Sequence, residues 1–259
     1  MGLMQRQHLV TADQYVENVL QKYSGNRSAA ERVANSMATS IQNWAGQQLS
    51  RLDYSGSFAK GTANSLSTDV DLFISLKSST TETLKQIYGS LFGLAQNNGW
   101  NPRRQNVSIG VDYSGMKIDL VPGKMQSGYQ NVHSLYKRKA DSWTQTNVKL
   151  HIDTVAGSGR TKEIRAIKIW RDLHSLSFPS FHLELMVLEA LKGKSTNNLA
   201  SNVLHGLNYI GDNLQSKRII DPANTNNVIS DDLSSSEKHG VAQQAKTSAS
   251  KQYWKDIIL

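Results

Sequence analysis

The segment Val70-Asp-Leu-Phe-Ile74, preceded by Asp69, constrains the fold most strongly because it alternates acids with residues that belong in a core. Successive side chains of a β-strand point to opposite faces, so Asp69 and Asp71 are predicted to share one face. Val70 and Leu72 then enter the core. Two adjacent carboxylates repel each other unless a cation lies between them, and oxygen-only ligation suits Mg²⁺. For an Asp-x-Asp pair taken alone, an exposed strand face with solvated acids is the simpler alternative.

A glycine–serine pair lies upstream of this strand. Gly56 and Ser57 follow a short extended segment and precede small residues that favour the start of a helix. Backbone N–H groups at a helix N-terminus, together with the Ser57 hydroxyl, can cradle a phosphate. Residues 58–68 connect this pair directly to the acidic strand. The sequence therefore predicts a phosphate cradle and a pair of metal ligands at opposite ends of one strand–helix–strand connection.

A third acid, Asp119, lies in Met116-Lys-Ile-Asp-Leu-Val-Pro122, among apolar residues typical of a buried strand. One interpretation is that Asp119 caps the turn at Pro122. If its strand pairs beside the first acidic strand, Asp119 instead points at the same cations as Asp69 and Asp71. Three carboxylates can hold two Mg²⁺ ions, for which Mn²⁺ can substitute. This is the arrangement used for in-line displacement at phosphorus.

Charge and composition narrow the class of partner. The chain has 259 residues and a net charge of +8, which favours anionic partners such as nucleotides. It contains no cysteine, which excludes disulfides and thiolate metal sites and agrees with a reducing compartment. The first ten residues lack the apolar core of a signal peptide, and no apolar run approaches the ~20 residues of a membrane helix. We expect a cytoplasmic protein without a membrane segment.

Hydrophobic periodicity predicts an α+β fold in two lobes. Helices in the first fifty residues lead into strands over 70–74, 107–113 and 116–121, the last two forming a hairpin at Ser114-Gly115. A helix over 80–97 separates the first strand from the hairpin. After Pro122 the pattern becomes mostly helical, with predicted helices over 161–175, 181–191, 199–213 and 243–258. The predicted lobes are residues 1–150, a mixed-sheet catalytic lobe with N-terminal helices, and residues 151–259, a helical lobe.

These motifs together resemble the nucleotidyltransferases of the DNA polymerase β type: Gly-Ser, then Asp-Val-Asp-Leu, then Ile-Asp-Leu-Val-Pro. The second half is similar to the group that holds oligoadenylate synthetases, cyclic GMP-AMP synthase, the bacterial CD-NTases and class I CCA-adding enzymes. The motifs that carry this similarity are Trp143–Asn147, Glu163–Arg171, Pro179–Leu185 and Ile220–Val228. The resemblance covers roughly residues 50–230 and implies an active site in the cleft between the two lobes.

The resemblance implies a role for each matching residue. Gly56 and Ser57 would hold the triphosphate. Asp69, Asp71 and Asp119 would bind the metal ions, with Asp119 also helping to activate the acceptor hydroxyl. In the helical lobe, which would bind base and acceptor, Lys168 would reach the phosphates, Ser180 would assist it, and Phe181 would stack on the base. Lys168 also recurs with Arg165 and Arg171 in a basic row along one predicted helix, although such a row is usually a solvated face.

The predicted activity is the template-independent joining of nucleoside triphosphates, with release of pyrophosphate, into a cyclic di- or trinucleotide or a short oligonucleotide signal of the antiviral-defence type. Addition of nucleotides to RNA or tRNA ends is the alternative. RNA is a less favoured partner because the basic clusters Arg103-Arg104 and Lys137–Lys139 lack interleaved aromatic residues. A third alternative is a catalytically idle nucleotide-binding protein of the same fold. The presence of all three acids argues against it.

Overall fold

The computed structural model describes residues 10–67 and 69–258, without the side chain of Arg27. The predicted lack of a targeting signal concerns residues that lie mostly outside these ranges. No helix in the described parts of the chain combines the length and apolar character required to cross a bilayer. The chain forms two compact units, one built on a sheet and one helical.

The elements follow one another along the chain with short connections. The helices are α1 (Ala12–Lys22), α2 (Arg27–Ala45), α3 (Gly56–Lys60), α4 (Leu84–Asn97), α5 (Val148–Ala156), α6 (Thr161–Leu173), α7 (Ser180–Ala190), α8 (Leu199–Asn213) and α9 (Ser235–Ala249). The strands are β1 (Leu49–Tyr54), β2 (Val70–Leu76), β3 (Arg103–Arg104), β4 (Ile109–Tyr113), β5 (Met116–Met125), β6 (His133–Lys137), β7 (Ser142–Thr146), β8 (Ile220–Asp221) and β9 (Asn224–Val228). Short 3-10 turns occupy Gly46–Gln48, Arg138–Ala140, Ile229–Asp232 and Trp254–Asp256.

The sheet unit is a mixed sheet in the order β1-β2-β5-β4-β3, with β6 and β7 continuing from the far end of β5. Strands β2 and β5 are parallel, and every other pair in this sheet is antiparallel. The apolar residues of β2, β4 and β5 pack against α2 and α4, with side chains such as Ile41, Ile74, Leu91 and Ile118 completely buried. The predicted mixed sheet is confirmed.

The hairpin predicted at Ser114-Gly115 is also confirmed, because Tyr113 pairs with Met116 across it and both turn residues have positive φ. The hairpin β6–β7 and helix α5 were not predicted. The last helix begins at Ser235 instead of near residue 243, because Ser234 and Glu237 form a capping box. The serine-rich run before residue 237 therefore includes the start of this helix.

The helical unit contains α1 and α6–α9. Helix α6 is buried along most of its length, and Trp170 donates a 2.9 Å hydrogen bond to the Ser248 hydroxyl of α9. Gly206 of α8 permits a close approach to α6, because a Cβ there would lie 2.6 Å from Cδ1 of Ile167. Helix α1 joins this unit through Asp13, whose carboxylate accepts a 2.7 Å hydrogen bond from the backbone N–H of Ala200.

The two units divide the chain differently from the predicted lobes of residues 1–150 and 151–259. Helix α1 clusters with the helical unit, whereas α5 and the hairpin β8–β9 cluster with the sheet unit. Two contacts explain the second assignment. His151 of α5 lies 2.7 Å from the buried carboxylate of Asp221 in β8, and Asn224 donates to Thr144 and to the backbone of Gln145 in β7. A single boundary in the sequence cannot describe this division, because the chain returns to the sheet unit at residue 218 after residues 162–217 of the helical unit.

A buried histidine makes the stability of the helical unit depend on pH. His182 of α7 is fully buried, its ring lies edge-on to Phe178 at 5.2 Å, and neither ring nitrogen has a hydrogen-bond partner among the described residues. Burial lowers the pKa of His182 to about 4. The unfolded chain therefore binds the proton more readily than the folded chain between about pH 6.5 and pH 4, so stability is present above this window and is lost as the pH falls.

Between pH 7 and pH 5, the wild type should lose about 2 kcal/mol of its free energy of unfolding because of His182. We expect His182→Leu to lack this loss. The substitution also removes two unpaired polar atoms, so stability at pH 7 should not fall by more than a small packing cost. Urea denaturation at both pH values measures the difference. His239→Leu, at an exposed histidine of α9, is the matched control. Equal pH dependence in the two variants would contradict this assignment.

Candidate active site

The parallel pairing of β2 with β5 brings two of the predicted acids together. Asp71 is in register with Asp119, so the two residues are neighbours on adjacent strands. Residues directly opposite each other in a parallel pair point to the same face of the sheet. Both carboxylates are half-buried, whereas Ile118 and Leu120 on either side of Asp119 are fully buried. The predicted alternation of acid and core residues along these strands is confirmed.

Gly56 lies against Asp71. The backbone N–H of Ser55 donates a 2.8 Å hydrogen bond to the carbonyl of Asp71, which fixes the end of β1 to β2. Gly56 then starts helix α3 with φ of +56°, and a Cβ at this position would lie 1.7 Å from Oδ2 of Asp71. Glycine is therefore required at this position for two reasons: the backbone has a positive φ, and the Asp71 carboxylate occupies the space of a Cβ. Gly56 thus lies beside the acidic strand, and Ser57 follows it in the first turn of α3.

Asp69 adds a third negative charge. It is exposed and lies immediately before β2. Burial raises the pKa of the Asp119 carboxyl, and the charge of Asp69 raises that pKa further. A hydrogen bond from Gln105 and the charge of Arg103 act in the opposite direction. Asp69 thus acts electrostatically on the end of the sheet where Asp71 and Asp119 lie.

Two residues beside Asp119 were missed by the sequence analysis. Gln105, in the loop between β3 and β4, donates a 2.8 Å hydrogen bond from Nε2 to Oδ1 of Asp119. Gly110 is directly opposite Asp119 across the β4–β5 ladder. The hairpin turn at Ser114-Gly115 fixes this register, so the position of Gly110 was accessible from the sequence. The contact with Gln105 was not, because it depends on the conformation of a loop.

The site is suited to a hard cation but is not a closed metal centre. Within residues 10–67 and 69–258, no group of three or more His, Asp or Glu side chains is gathered as a ready metal site. The groups that do meet here are carboxylates, and Asp69 opposes ionisation of Asp119. A divalent cation relieves that repulsion, and an all-oxygen donor set fits Mg²⁺. An open set of this kind leaves coordination positions for waters and substrate phosphates.

The other predicted site residues, Lys168, Ser180 and Phe181, lie in the helical unit. Lys168 is 2% exposed, and its Nζ is 3.7 Å from Oε1 of the fully buried Glu184. The Ser180 hydroxyl accepts a 2.9 Å hydrogen bond from Arg171, which is also buried. The basic row that includes Lys168 is thus packed into the unit and is not a solvated face. Phe181 is half-buried at the start of α7.

The contact between Gly56 and Asp71 can be tested by substitution. Gly61, at the other end of α3, also has positive φ (+72°), but a Cβ there would meet only Cγ2 of Thr161 at 3.9 Å. Gly61→Ala should therefore cost only the strain of the left-handed conformation, about 1–2 kcal/mol. Gly56→Ala should cost this strain plus a further ~1–3 kcal/mol for displacing the carboxylate. Urea denaturation measures both losses of stability. Equal losses in the two variants would contradict the predicted clash between a Cβ at position 56 and the Asp71 carboxylate.

The comparison with known sequences gives a partial match to one nucleotide synthase. No protein-family model matches the chain. The chain is 24% identical to the cyclic AMP-AMP-AMP synthase of Escherichia coli strain MS 115-1, over an alignment of 189 residues that covers 66% of this chain. The aligned region is 58% of the length of that synthase.

Comparison with solved structures extends the similarity to most of the chain. The structure of E. coli MS115-1 CdnC with ATP matches with a TM-score of 0.74 and 20% identity, covering 90% of this chain and 89% of CdnC. The Bradyrhizobium diazoefficiens CD-NTase CdnG, in complex with GTP, matches with a TM-score of 0.74 and 11% identity, covering 96% of this chain and 95% of CdnG. The chain therefore has the polymerase β-like nucleotidyltransferase fold found in these CD-NTase structures, and its sequence is similar to that of one cyclic nucleotide synthase.

Proposed function

We propose that this protein is a template-independent nucleotidyltransferase that joins nucleoside triphosphates into a cyclic di- or trinucleotide or a short oligonucleotide, with release of pyrophosphate. The observation that carries the proposal is the register of Asp71 with Asp119, next to Gly56 and within the electrostatic reach of Asp69. Carboxylates arranged in this way beside a glycine–serine bend fit phosphoryl transfer, in which catalysis depends on positioning and charge.

Five residues of the sheet unit would have a part in this reaction. Asp69, Asp71 and Asp119 would hold two Mg²⁺ ions, which neutralise the triphosphate and make the acceptor hydroxyl more acidic when bound. Gly56 and Ser57 would hold the triphosphate, and Asp119 would help to activate the hydroxyl. The hydroxyl oxygen would form a bond to the α-phosphorus and lose its proton to water with the help of Asp119, while the bond from the α-phosphorus to the bridging oxygen breaks to release pyrophosphate.

Similar proteins support nucleotides as substrates. The E. coli relative is named a cyclic AMP-AMP-AMP synthase, and solved CD-NTase structures contain ATP or GTP. A signalling product made for defence against phage would be the role of such an activity in a bacterium. The net charge of +8 agrees with a polyanionic substrate.

The helical unit would bind base and acceptor through Lys168, Ser180 and Phe181. Lys168 already lies beside Glu184 and Ser180 accepts from Arg171. Use of Lys168 on a phosphate therefore requires this buried ion pair to rearrange, and such a rearrangement is costly when a buried carboxylate loses its counter-charge.

Product analysis tests the proposed function. The purified protein is incubated with labelled nucleoside triphosphates and Mg²⁺, with and without RNA, and the products are resolved before and after phosphatase treatment. We expect a small phosphatase-resistant product that does not require RNA. Label transferred to RNA would show a tailing enzyme, and bound but unchanged triphosphate would show a nucleotide-binding protein. Either result would overturn the proposal.

Removing one negative charge from the site should abolish turnover. Asp69→Asn and Asp71→Asn should each lower the rate by at least ~100-fold, because each removes a ligand and leaves the fold intact. Asp153→Asn, at an exposed acid paired with Lys149 on α5, should leave the rate within twofold of the wild type. Circular dichroism and the rate of pyrophosphate release provide the measurements. Retention of the wild-type rate in either site variant would disprove its assignment as a ligand.

A further inference from the structure

We propose that Gln105 is a positioning residue for Asp119, fixing one oxygen of this carboxylate so that the other faces the bound cation. This inference rests on the proposed function of Asp119 as a metal ligand. Gln105 is remote from the acidic motifs in sequence and belongs to none of them. Its side chain nevertheless reaches Asp119 directly, with Nε2 at 2.8 Å from Oδ1.

Gly110 provides the space for this contact. It lies opposite Asp119 in the register of β4 with β5. A Cβ at Gly110 would lie 2.6 Å from Nε2 of Gln105 and 3.2 Å from Oδ1 of Asp119. The amide of Gln105 thus occupies the position where any other residue would place its side chain. Gly110 in β4 and Gln105 in the preceding loop therefore act together, because the glycine leaves the space that the amide fills.

The amide of Gln105 is held in one orientation by its own contacts. The hydroxyl of Ser108, a buried residue, donates a 2.6 Å hydrogen bond to Oε1 of Gln105. Because Oε1 accepts this hydrogen bond, the amide is oriented so that its donor, Nε2, faces the carboxylate of Asp119. The Gln105 backbone is also fixed, because its N–H donates to the carbonyl of Ser108 and its carbonyl accepts from the hydroxyl of Tyr88 at 2.8 Å and from Nε of Arg138 at 3.2 Å.

A neutral donor suits this position better than a cation. Lysine or arginine in contact with Asp119 would compete with a divalent ion for the carboxylate. An amide holds one oxygen in place without removing the negative charge. Neighbouring groups that orient metal ligands typically contribute 10–100-fold to metal affinity or activity. The nearby Arg103 is paired with Asp112 of β4, and its charge also acts on Asp119, but the hydrogen bond to Oδ1 of Asp119 comes from the neutral amide of Gln105.

The test compares Gln105→Met with Gln126→Met. Gln126 is a part-buried glutamine of the same unit that donates from Nε2 to the Ser134 hydroxyl at 3.1 Å, in the part of the sheet formed by β5 and β6. Binding of Mn²⁺ alone is followed by electron paramagnetic resonance, with Asp119→Asn giving the signal from ions bound elsewhere. We expect Gln105→Met to weaken Mn²⁺ binding at the Asp119-dependent site about tenfold and Gln126→Met to leave it unchanged.

Activity gives a second reading of the same variants. Gln105→Met should raise the Mg²⁺ concentration for half-maximal rate about tenfold, while the KM for the triphosphate changes less than twofold. Ser108→Ala should weaken Mn²⁺ binding and raise this Mg²⁺ concentration by smaller factors. Three results would each overturn the inference. Gln105→Met could retain the Mn²⁺ affinity of the wild type, Gln126→Met could lose as much Mn²⁺ affinity as Gln105→Met, or the wild type could show no Mn²⁺ site that depends on Asp119. Mn²⁺ binding that depends on Gln105 in a protein without turnover would support the inference and reject the proposed function.

Discussion

The parallel pairing of β2 with β5 is the constraint on which the candidate site depends. Strand β2 reaches the acidic positions from a short connection after α3, whereas β5 arrives there as the second strand of a hairpin. The hydrogen bonds between these strands place Asp71 beside Asp119, although the two residues are far apart in the chain. Burial of the apolar residues that flank the two acids on β2 and β5 stabilises this pairing against the repulsion of the carboxylates, because these residues pack against α2 and α4.

Glycine makes room for the acids on both neighbouring elements. On the β1 side, Gly56 turns the chain into α3 at a distance from Asp71 that excludes any side chain. On the β4 side, Gly110 leaves space for the amide of Gln105. On these two sides, the Asp71 carboxylate therefore lies against the backbone of Gly56, and the Asp119 carboxylate accepts a hydrogen bond from the neutral amide of Gln105.

Much of the sheet and its acids could be predicted from the sequence, because the relevant signals are local. The alternation of Asp71 with core residues, the turn at Ser114-Gly115 and the helix start after Gly56 each depend on a few neighbouring positions. The return of β8–β9 to the sheet unit depends instead on the contact of His151 with Asp221, which no local pattern encodes. The burial of Lys168 against Glu184 was missed for a related reason, since a basic residue on a helix gives no indication of a buried partner on another helix.

The most direct measurement of the central claim is a crystal structure of the protein with Mn²⁺ and a non-hydrolysable ATP analogue, using the anomalous scattering of manganese to locate the ions. The account predicts manganese within ligand distance of the carboxylates of Asp71 and Asp119, with the triphosphate beside Gly56 and Ser57. Nucleotide bound elsewhere, or manganese that does not contact Asp119, would contradict it.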